Sequence, residues 1–463
     1  MQLVLLSGGS GKRLWPLSND SRSKQFLKLL NNDETNKHES MVQRVWGQIN
    51  RIGLGHRTYI ATGRSQVEVI QSQLGDDTQI IVEPNRRDTF PAIALAAVYL
   101  YSKQYVALNE VVAVLPVDPY VEDRFFTKVM ELERGLNSAE ADIGLLGVSP
   151  TYPSEKYGYI VPKKSGDTPY RQVSHFEEKP TEARARLLIN QGALWNCGVF
   201  AFRLEYIINE LIARRLPVQY DELLKQYNRL NKISFDYEIV EKANKVIVLP
   251  YDGYWKDLGT WNTLTEEMGS RLIGNATVSD DSYDTHVINE LDIPLTVLGI
   301  SNAVIAASPD GILVSDKAAS PRIKDLMQHQ EQRPMYEERR WGRYRVLDYI
   351  TYPNGQQVLT KRIMITSGNS LSYQMHRHRR EVWTVISGSG EMVMDGKLSP
   401  VTMGTVVVIQ PNMKHSIRAL TDLEIIEVQT GDELVEEDVV RLEMKWSDII
   451  RKHVESSSIL KEV

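Results

Sequence analysis

An α/β fold with a mainly parallel sheet, then a short β-rich connector and a C-terminal all-β domain, is what this 463-residue sequence predicts. Three observations carry that reading. From residue 1 to about 150, apolar runs of strand length alternate with periodic helical stretches, the pattern of a parallel sheet covered by helices. From about 266 to 335, short apolar runs are separated by Asp, Asn, Ser and Pro. From 341 onward, short strands are punctuated by glycine, the rhythm of a small antiparallel barrel or sandwich.

The elements follow in order. Strands are expected at Gln2–Leu6, Thr58–Ala61, Gln79–Glu83, Val111–Val117 and Ile143–Val148, with helices over Met41–Ile52, Gln66–Leu74 and Pro91–Lys103. An α+β stretch follows to about 265, with a helix near Thr181–Asn190 and strands at Val199–Arg203 and Val246–Leu249. Leu295–Ile300, Ala303–Ala307 and Gly311–Val314 build the connector, and the charged run His329–Arg340 reads as a linker. Glu381–Ile386, Gly390–Met394, Thr405–Ile409 and Leu423–Gln429 are the clearest strands of the last part. The resulting division is 1–265, 266–335 and 336–463.

Composition narrows the class. Net charge is −6 with 42% hydrophobic and 25% charged residues, and no basic run marks a nucleic-acid footprint. The apolar runs are too short to span a membrane, and Leu3–Leu6 lacks the charged flank of a signal peptide. A single cysteine, Cys197, fits a reducing cytoplasm and reads as a small packing residue.

Ligands of parallel sheets bind beyond the carboxyl ends of the strands. The first strand runs directly into "SGGSGKRLWPLS", where Gly8, Gly9 and Gly11 leave backbone amides free to face an anion. Arg13 and Lys24 can neutralise phosphates there, one as a fork and one as a point charge. It is not a Walker A loop, because Gly11-Lys12 is followed by Arg13, and the glycine spacing does not form a dinucleotide fingerprint.

The loop closely resembles the signature of sugar-1-phosphate nucleotidylyltransferases, above all the mannose-1-phosphate guanylyltransferases, with Ser23 where a proline usually precedes the lysine. The resemblance continues through "EPNRRDTFPAIALAA", "LPVDPY", "KYGYI", "FEEKP", "LWNCGVF", "FDYEIVEK" and "YWKDLGTW". It implies a Rossmann-like nucleotidyltransferase domain over 1–265, and it implies site residues. Glu83, Arg87 and Thr89 fall in the nucleotide-binding segment, where Asp88 also reads as a helix N-cap. Asp118 and Asp257 match the two aspartates that bind Mg²⁺, with Pro119 in place of a usual histidine. Gly158, Glu178, Lys179 and Asn196 match the sugar-phosphate half. The chemistry fits these residue types. Two polyanions must meet, so cations and a hard metal ion on carboxylates are needed before any general base.

In the C-terminal part, Gln374, His376 and His378 alternate along one strand face, and Glu381 and His415 follow. Such a set suits Zn²⁺ or another divalent cation. Glu381 lies an odd number of residues from His378, so its ligation requires a bend. The segment resembles the cupin domain of type II phosphomannose isomerases, with departures at Arg377 and Val382, where that family has histidines. For an isomerisation, Glu381, Arg379 and Arg380 are candidates for proton transfer or charge stabilisation.

The expected function is therefore Mg²⁺-dependent transfer of GMP from GTP to mannose 1-phosphate, giving GDP-mannose and pyrophosphate. Interconversion of mannose 6-phosphate and fructose 6-phosphate in the cupin domain is left open, as is a homo-oligomer. The alternatives are another triphosphate and sugar phosphate, a nucleotide-sugar sensor, or a cupin that serves only for binding or assembly.

Overall fold

The computed structural model describes residues 1–9, 12–32, 34–163, 168–327, 333–436 and 438–454. Its largest sheet collects β1 (Gln2–Ser7), β2 (Thr58–Gly63), β3 (Ile80–Glu83), β4 (Val111–Pro116), β5 (Ile143–Val148), β6 (Gly158–Pro162), β7 (Arg171–Glu178), β8 (Leu194–Arg203) and β9 (Val246–Tyr251). Their spatial order is β3-β2-β1-β4-β8-β5-β9-β7-β6. Strands β1 to β4 are mutually parallel, as are β5 and β9. β8 runs antiparallel between β4 and β5 and joins the two halves. The sequence division near residue 150 therefore does not divide the sheet.

Burial explains these elements. Leu3, Val4, Leu5, Val112, Val114 and Leu115 are all closed from solvent, as central strands covered on both faces require. Helix α1 (Met41–Arg51) starts at a capping box formed by Ser40 and Gln43. Helix α2 (Val67–Leu74) covers one edge, and α3 (Thr89–Ser102) is apolar on nearly every side. Asp88 sits at φ +72° and its carboxylate accepts from the Thr89 amide, so it does cap α3.

The connector is a stack of short parallel ladders closed by one antiparallel pair, Ala303–Ser308 with Gly311–Asp316. Leu272–Gly274, His286–Asn289 and Ala303–Ser308 pair on one face, and Ala276–Val278 pairs with Leu295–Val297 on another. It is not a free spacer. Ile288, Val304 and Ala306 pack with Leu14, Leu17, Leu27 and Leu29, so the connector backs the segment after β1. Ser308 also donates to the Pro16 carbonyl at 2.7 Å.

Within the charged run read as a linker, Tyr336–Arg339 is a strand that pairs with Gly342–Thr351. Residues 329–332 of that run lie outside the described residues. The strand begins an antiparallel six-stranded sheet that faces a five-stranded one, with Leu359, Trp383, Met392, Ile417 and Ile425 between them. One helix not expected from the sequence, Trp446–His453, closes this domain with Ile449 against Tyr373 and Val393. No described helix is long and apolar enough to cross a membrane.

Candidate functional site

Two clusters of polar side chains stand out, one at the end of the large sheet and one inside the C-terminal domain. The first lies beyond the carboxyl ends of β1 and β4. Pro119–Val121 and Trp255–Asp257 pair antiparallel, with Asp257 opposite Pro119. That short ladder brings Asp118 and Asp257 to one place although they lie 139 positions apart in the chain. The Lys24 ammonium lies between them, 2.7 Å from Asp118 Oδ2 and 3.4 Å from Asp257 Oδ1. Burial works against its charge, yet Asp118 and then Asp257 outweigh that and raise its pKa.

Arg13, Lys24, Asp118, Asn196 and Asp257 line one cavity of about 290 Å³, with Tyr157 and Trp255 as its aromatic walls. Gly8 and Gly9 are exposed, and a Cβ on either would meet no atom within 4 Å. Gly9 has φ +125°, which excludes most side chains on conformational grounds. Bare backbone with open space before it is what a phosphate cradle requires. Gly11 lies outside the described residues. Ser23 donates to the Gly9 carbonyl at 3.0 Å and so ties the loop to the residue next to Lys24.

The residues expected to bind sugar phosphate lie on neighbouring strands. Gly158 is opposite Glu178 in the β6–β7 ladder. A Cβ on Gly158 would come within 2.3 Å of Glu178 Oε2 and 2.6 Å of Phe176, so glycine is needed for Glu178 to point as it does. Lys179 forms an ion pair with Glu178. A register shift in β8 between Asn196 and Phe200 re-aims Asn196, whose amide donates to Asp236 Oδ1 at 2.7 Å. Burial, and then the Glu178 carboxylate, push the Asp236 carboxyl up to about 7.

Glu83, Arg87 and Thr89 do not join the cavity around Lys24. Each is bonded to the Tyr227–Phe235 segment instead. Glu83 accepts from the Tyr227 hydroxyl at 2.8 Å, Arg87 donates to the Leu230 carbonyl at 3.0 Å, and Thr89 accepts from the Phe235 amide at 2.8 Å. Cys197 is buried with its thiol on the Leu146 carbonyl, and burial pushes that thiol up to about 12, which leaves it a packing residue.

The second cluster lies inside the C-terminal sheets. His376, Glu381 and His415 are buried, with one ligand atom of each within 4.8 Å of the others. The His376 and His415 Nδ1 atoms lie on the carbonyls of Asp438 and Met413, which turns both Nε2 atoms inward. His415 Nε2 has no hydrogen-bond partner among the described residues. Two buried imidazoles anchored through Nδ1, with His415 Nε2 left without a partner, fit a metal site. Gln374 is adjacent, its amide 3.5 Å from His376 Nε2.

His378 is a correction. The strand ends at Met375 and the next begins at Arg380, so the period-two count is lost between them. His378 is exposed, and Arg379 turns inward in its place. The Arg379 guanidinium donates to Glu381 at 2.7 Å and lies 3.3 Å from His376 Nε2. The bend also supplies what Glu381 required.

Three functional candidates escaped the sequence reading: Asp236, Lys361 and Glu427. Lys361 and Glu427 are directly opposed across two strands, both buried. Their signal was present, because each interrupts an inward apolar alternation: Leu359-Lys361-Ile363 and Leu423-Ile425-Glu427. Burial, and then Glu381, push the Glu427 carboxyl up to about 7.

Comparison with known proteins places the two parts of the chain in families. Residues 2–271 match the nucleotidyl transferase family, and residues 324–444 match the mannose-6-phosphate isomerase C-terminal family. The xanthan biosynthesis protein XanB of Xanthomonas campestris pv. campestris (strain B100) is 30% identical, covering 95% of this chain and 97% of its own. A mannose-1-phosphate guanylyltransferase of Salmonella montevideo is 29% identical, over 96% and 98%. A solved structure from Thermus thermophilus, described as a mannose-1-phosphate geranyltransferase, is 29% identical with TM-score 0.59 over 71% of this chain and 98% of that one.

Proposed function

Because this chain belongs to the nucleotidyl transferase family and carries an isomerase-type C-terminal domain, we propose that it transfers GMP from GTP to α-D-mannose 1-phosphate, releasing pyrophosphate. The observation that carries this reading is Lys24 between Asp118 and Asp257, next to Arg13 and the open Gly8-Gly9 backbone. The sugar-phosphate oxygen attacks the α-phosphorus, a new P–O bond forms, and the bond to the pyrophosphate leaving group breaks. Arg13, Lys24 and the loop amides stabilise the charge that grows on that leaving group. Glu178 and Asn196 orient the sugar through its hydroxyls, and Lys179 meets its phosphate. Glu83, Arg87 and Thr89 hold the 227–235 segment at the base-binding side.

Carboxylate oxygens suit a hard ion, so Asp118 and Asp257 would hold Mg²⁺, which supplies charge neutralisation of the phosphates. Guanine selection is tested by offering GTP, UTP, dTTP, CTP and ATP with mannose 1-phosphate and glucose 1-phosphate, with products identified by mass. GDP-mannose as the dominant product is expected, and a preference for another pair would replace this reading.

A second reading concerns the C-terminal cluster. Buried, inward His376, Glu381 and His415 beside Lys361, Arg379 and Glu427 favour an isomerase centre over a mere assembly module. The donor set would hold a divalent cation such as Zn²⁺, which would supply Lewis-acid polarisation of a carbonyl. Glu427, buried and directly opposite Lys361, is the proton carrier between C1 and C2, and Lys361 and Arg379 stabilise the enediolate. Conversion of fructose 6-phosphate into mannose 6-phosphate by the full chain is the expected result. No conversion in any divalent metal would leave binding or assembly as the role. Nucleotide and sugar-phosphate substrates, with Cys197 the single cysteine, accord with a cytoplasmic biosynthetic enzyme.

A further inference from the structure

Between the connector and the C-terminal domain lies a cavity of about 380 Å³ that shares no lining residue with the one around Lys24. Glu290 and Asp292 face it from the connector, and Tyr336, Arg343, Arg345 and Arg362 face it from the strands opposite. Arg345 is held by Asp292 at 2.8 Å and Arg362 by Glu424 at 2.7 Å. Arg343 is exposed and makes no ion pair among the described residues. Asp292 has 77% of its side chain open to solvent, so its hold on Arg345 is weak and readily exchanged for a stronger anion. Guanidinium forks that are free or loosely held match a phosphate group. Asp292 and Tyr336 line the same space, and a carboxylate and a phenol suit sugar hydroxyls.

The back wall of this cavity is also an anchor of the transfer centre. Arg22 grips Glu290 through two bonds of 2.9 Å and lies over the Tyr336 ring, 4.9 Å from its centroid. The next residue, Ser23, accepts from Gln66 at 2.7 Å and donates to the Gly9 carbonyl. The residue after that is Lys24. A ligand that pulls on Glu290 or Tyr336 therefore acts on the segment that carries Lys24 and steadies the glycine loop.

We propose that this cavity is a regulatory site for a phosphorylated sugar, which seats its phosphate on Arg343 and Arg345 and reaches the transfer centre through Glu290, Tyr336 and Arg22. The regulatory effect rests on the transfer activity proposed above, whereas occupancy of the cavity does not.

Glucose 6-phosphate is a suitable probe, because it lacks the anomeric phosphate an acceptor needs. Calorimetric titration of the full chain should give binding that Arg343→Ser with Arg345→Ser weakens about tenfold or more. Lys361→Met, which alters the isomerase-type cluster instead, should leave that binding in place. At sub-saturating GTP, saturating glucose 6-phosphate should shift the transfer rate about fivefold in the wild type and not in the double arginine variant. The rate without the probe should be the same in both proteins. Binding that survives the arginine substitutions, or no binding, overturns the site. Binding without any rate change overturns the regulation. If the wild type shows no transfer at all, the titration alone still decides the site.

Discussion

Replacing Lys24 by methionine keeps a stem of similar length and removes the charge between Asp118 and Asp257. At an effective dielectric near 20, a charge 2.7 Å from one carboxylate oxygen and 3.4 Å from another gains about 6 and about 5 kcal/mol of gross attraction. Desolvation offsets much of that. The three side chains are 20%, 29% and 36% exposed, which lowers the net contribution to about 1–3 kcal/mol. The functional cost is set elsewhere. Loss of one positioned group that stabilises charge in the transition state costs about 2.7–4 kcal/mol, or roughly 10²–10³ in kcat. The carboxylates, however, lose a competitor for Mg²⁺. Pyrophosphate release measured against Mg²⁺ concentration separates the two effects. Lys24→Met should fall by roughly 10²–10³ in kcat while its half-saturating Mg²⁺ stays level or drops. A kcat within about threefold of wild type, or a half-saturating Mg²⁺ about tenfold higher, would refute a lysine that serves the leaving group and competes with the metal.

Gly158→Ala forces a methyl against Glu178 Oε2 and Phe176, so it should cost about 1–3 kcal/mol of stability and raise KM for mannose 1-phosphate more than KM for GTP; equal effects on both would contradict a sugar-side role. The raised Asp236 carboxyl binds its proton more tightly folded than unfolded, so this group's contribution is full in acid and is lost as pH rises through about 7. Above that pH its charge sits beside Glu178, and KM for the sugar phosphate should rise; Asp236→Asn should flatten that rise, and a profile unchanged by the substitution would dismiss Asp236. Glu381→Gln should lower the metal content found by elemental analysis and abolish isomerisation with pyrophosphate release intact. Unchanged metal content would remove Glu381 from the ligand set.

Much of the architecture was legible because central strands are closed on both faces and must be apolar. Leu3–Leu5, Val112–Leu115 and Leu145–Leu146 announce themselves in that way. Direction is a different matter. Val199, Ala201 and Phe202 of β8 would read alike in a parallel strand, and nothing local says that β8 enters between β4 and β5. The glycines, Arg13 and Lys24 were legible as residues suited to a phosphate, whereas Asp118 and Asp257 were marked only by the family resemblance, because a lone aspartate after a strand carries no chemical signal of its own. The partners of Glu83, Arg87 and Thr89 were not legible, because the 227–235 segment reaches them from 143 or more positions away. In the C-terminal domain, Arg379 was named for its chemistry, but period-two counting pointed His378 inward and left the direction of Arg379 unread. The count holds only while a strand lasts, and the strand ends at Met375. Lys361 and Glu427 were readable as charges at inward positions, had the alternation of their strands been followed through the polar residues.

The central claim is that the pair Asp118 and Asp257, joined by Lys24, is the centre of nucleotidyl transfer. It is tested most directly by pyrophosphate release from GTP, mannose 1-phosphate and Mg²⁺, run on wild type and on Asp257→Asn with matched thermal unfolding. The account predicts Mg²⁺-dependent release by the wild type and none above background from the variant. Near-normal turnover by a folded Asp257→Asn protein would contradict it.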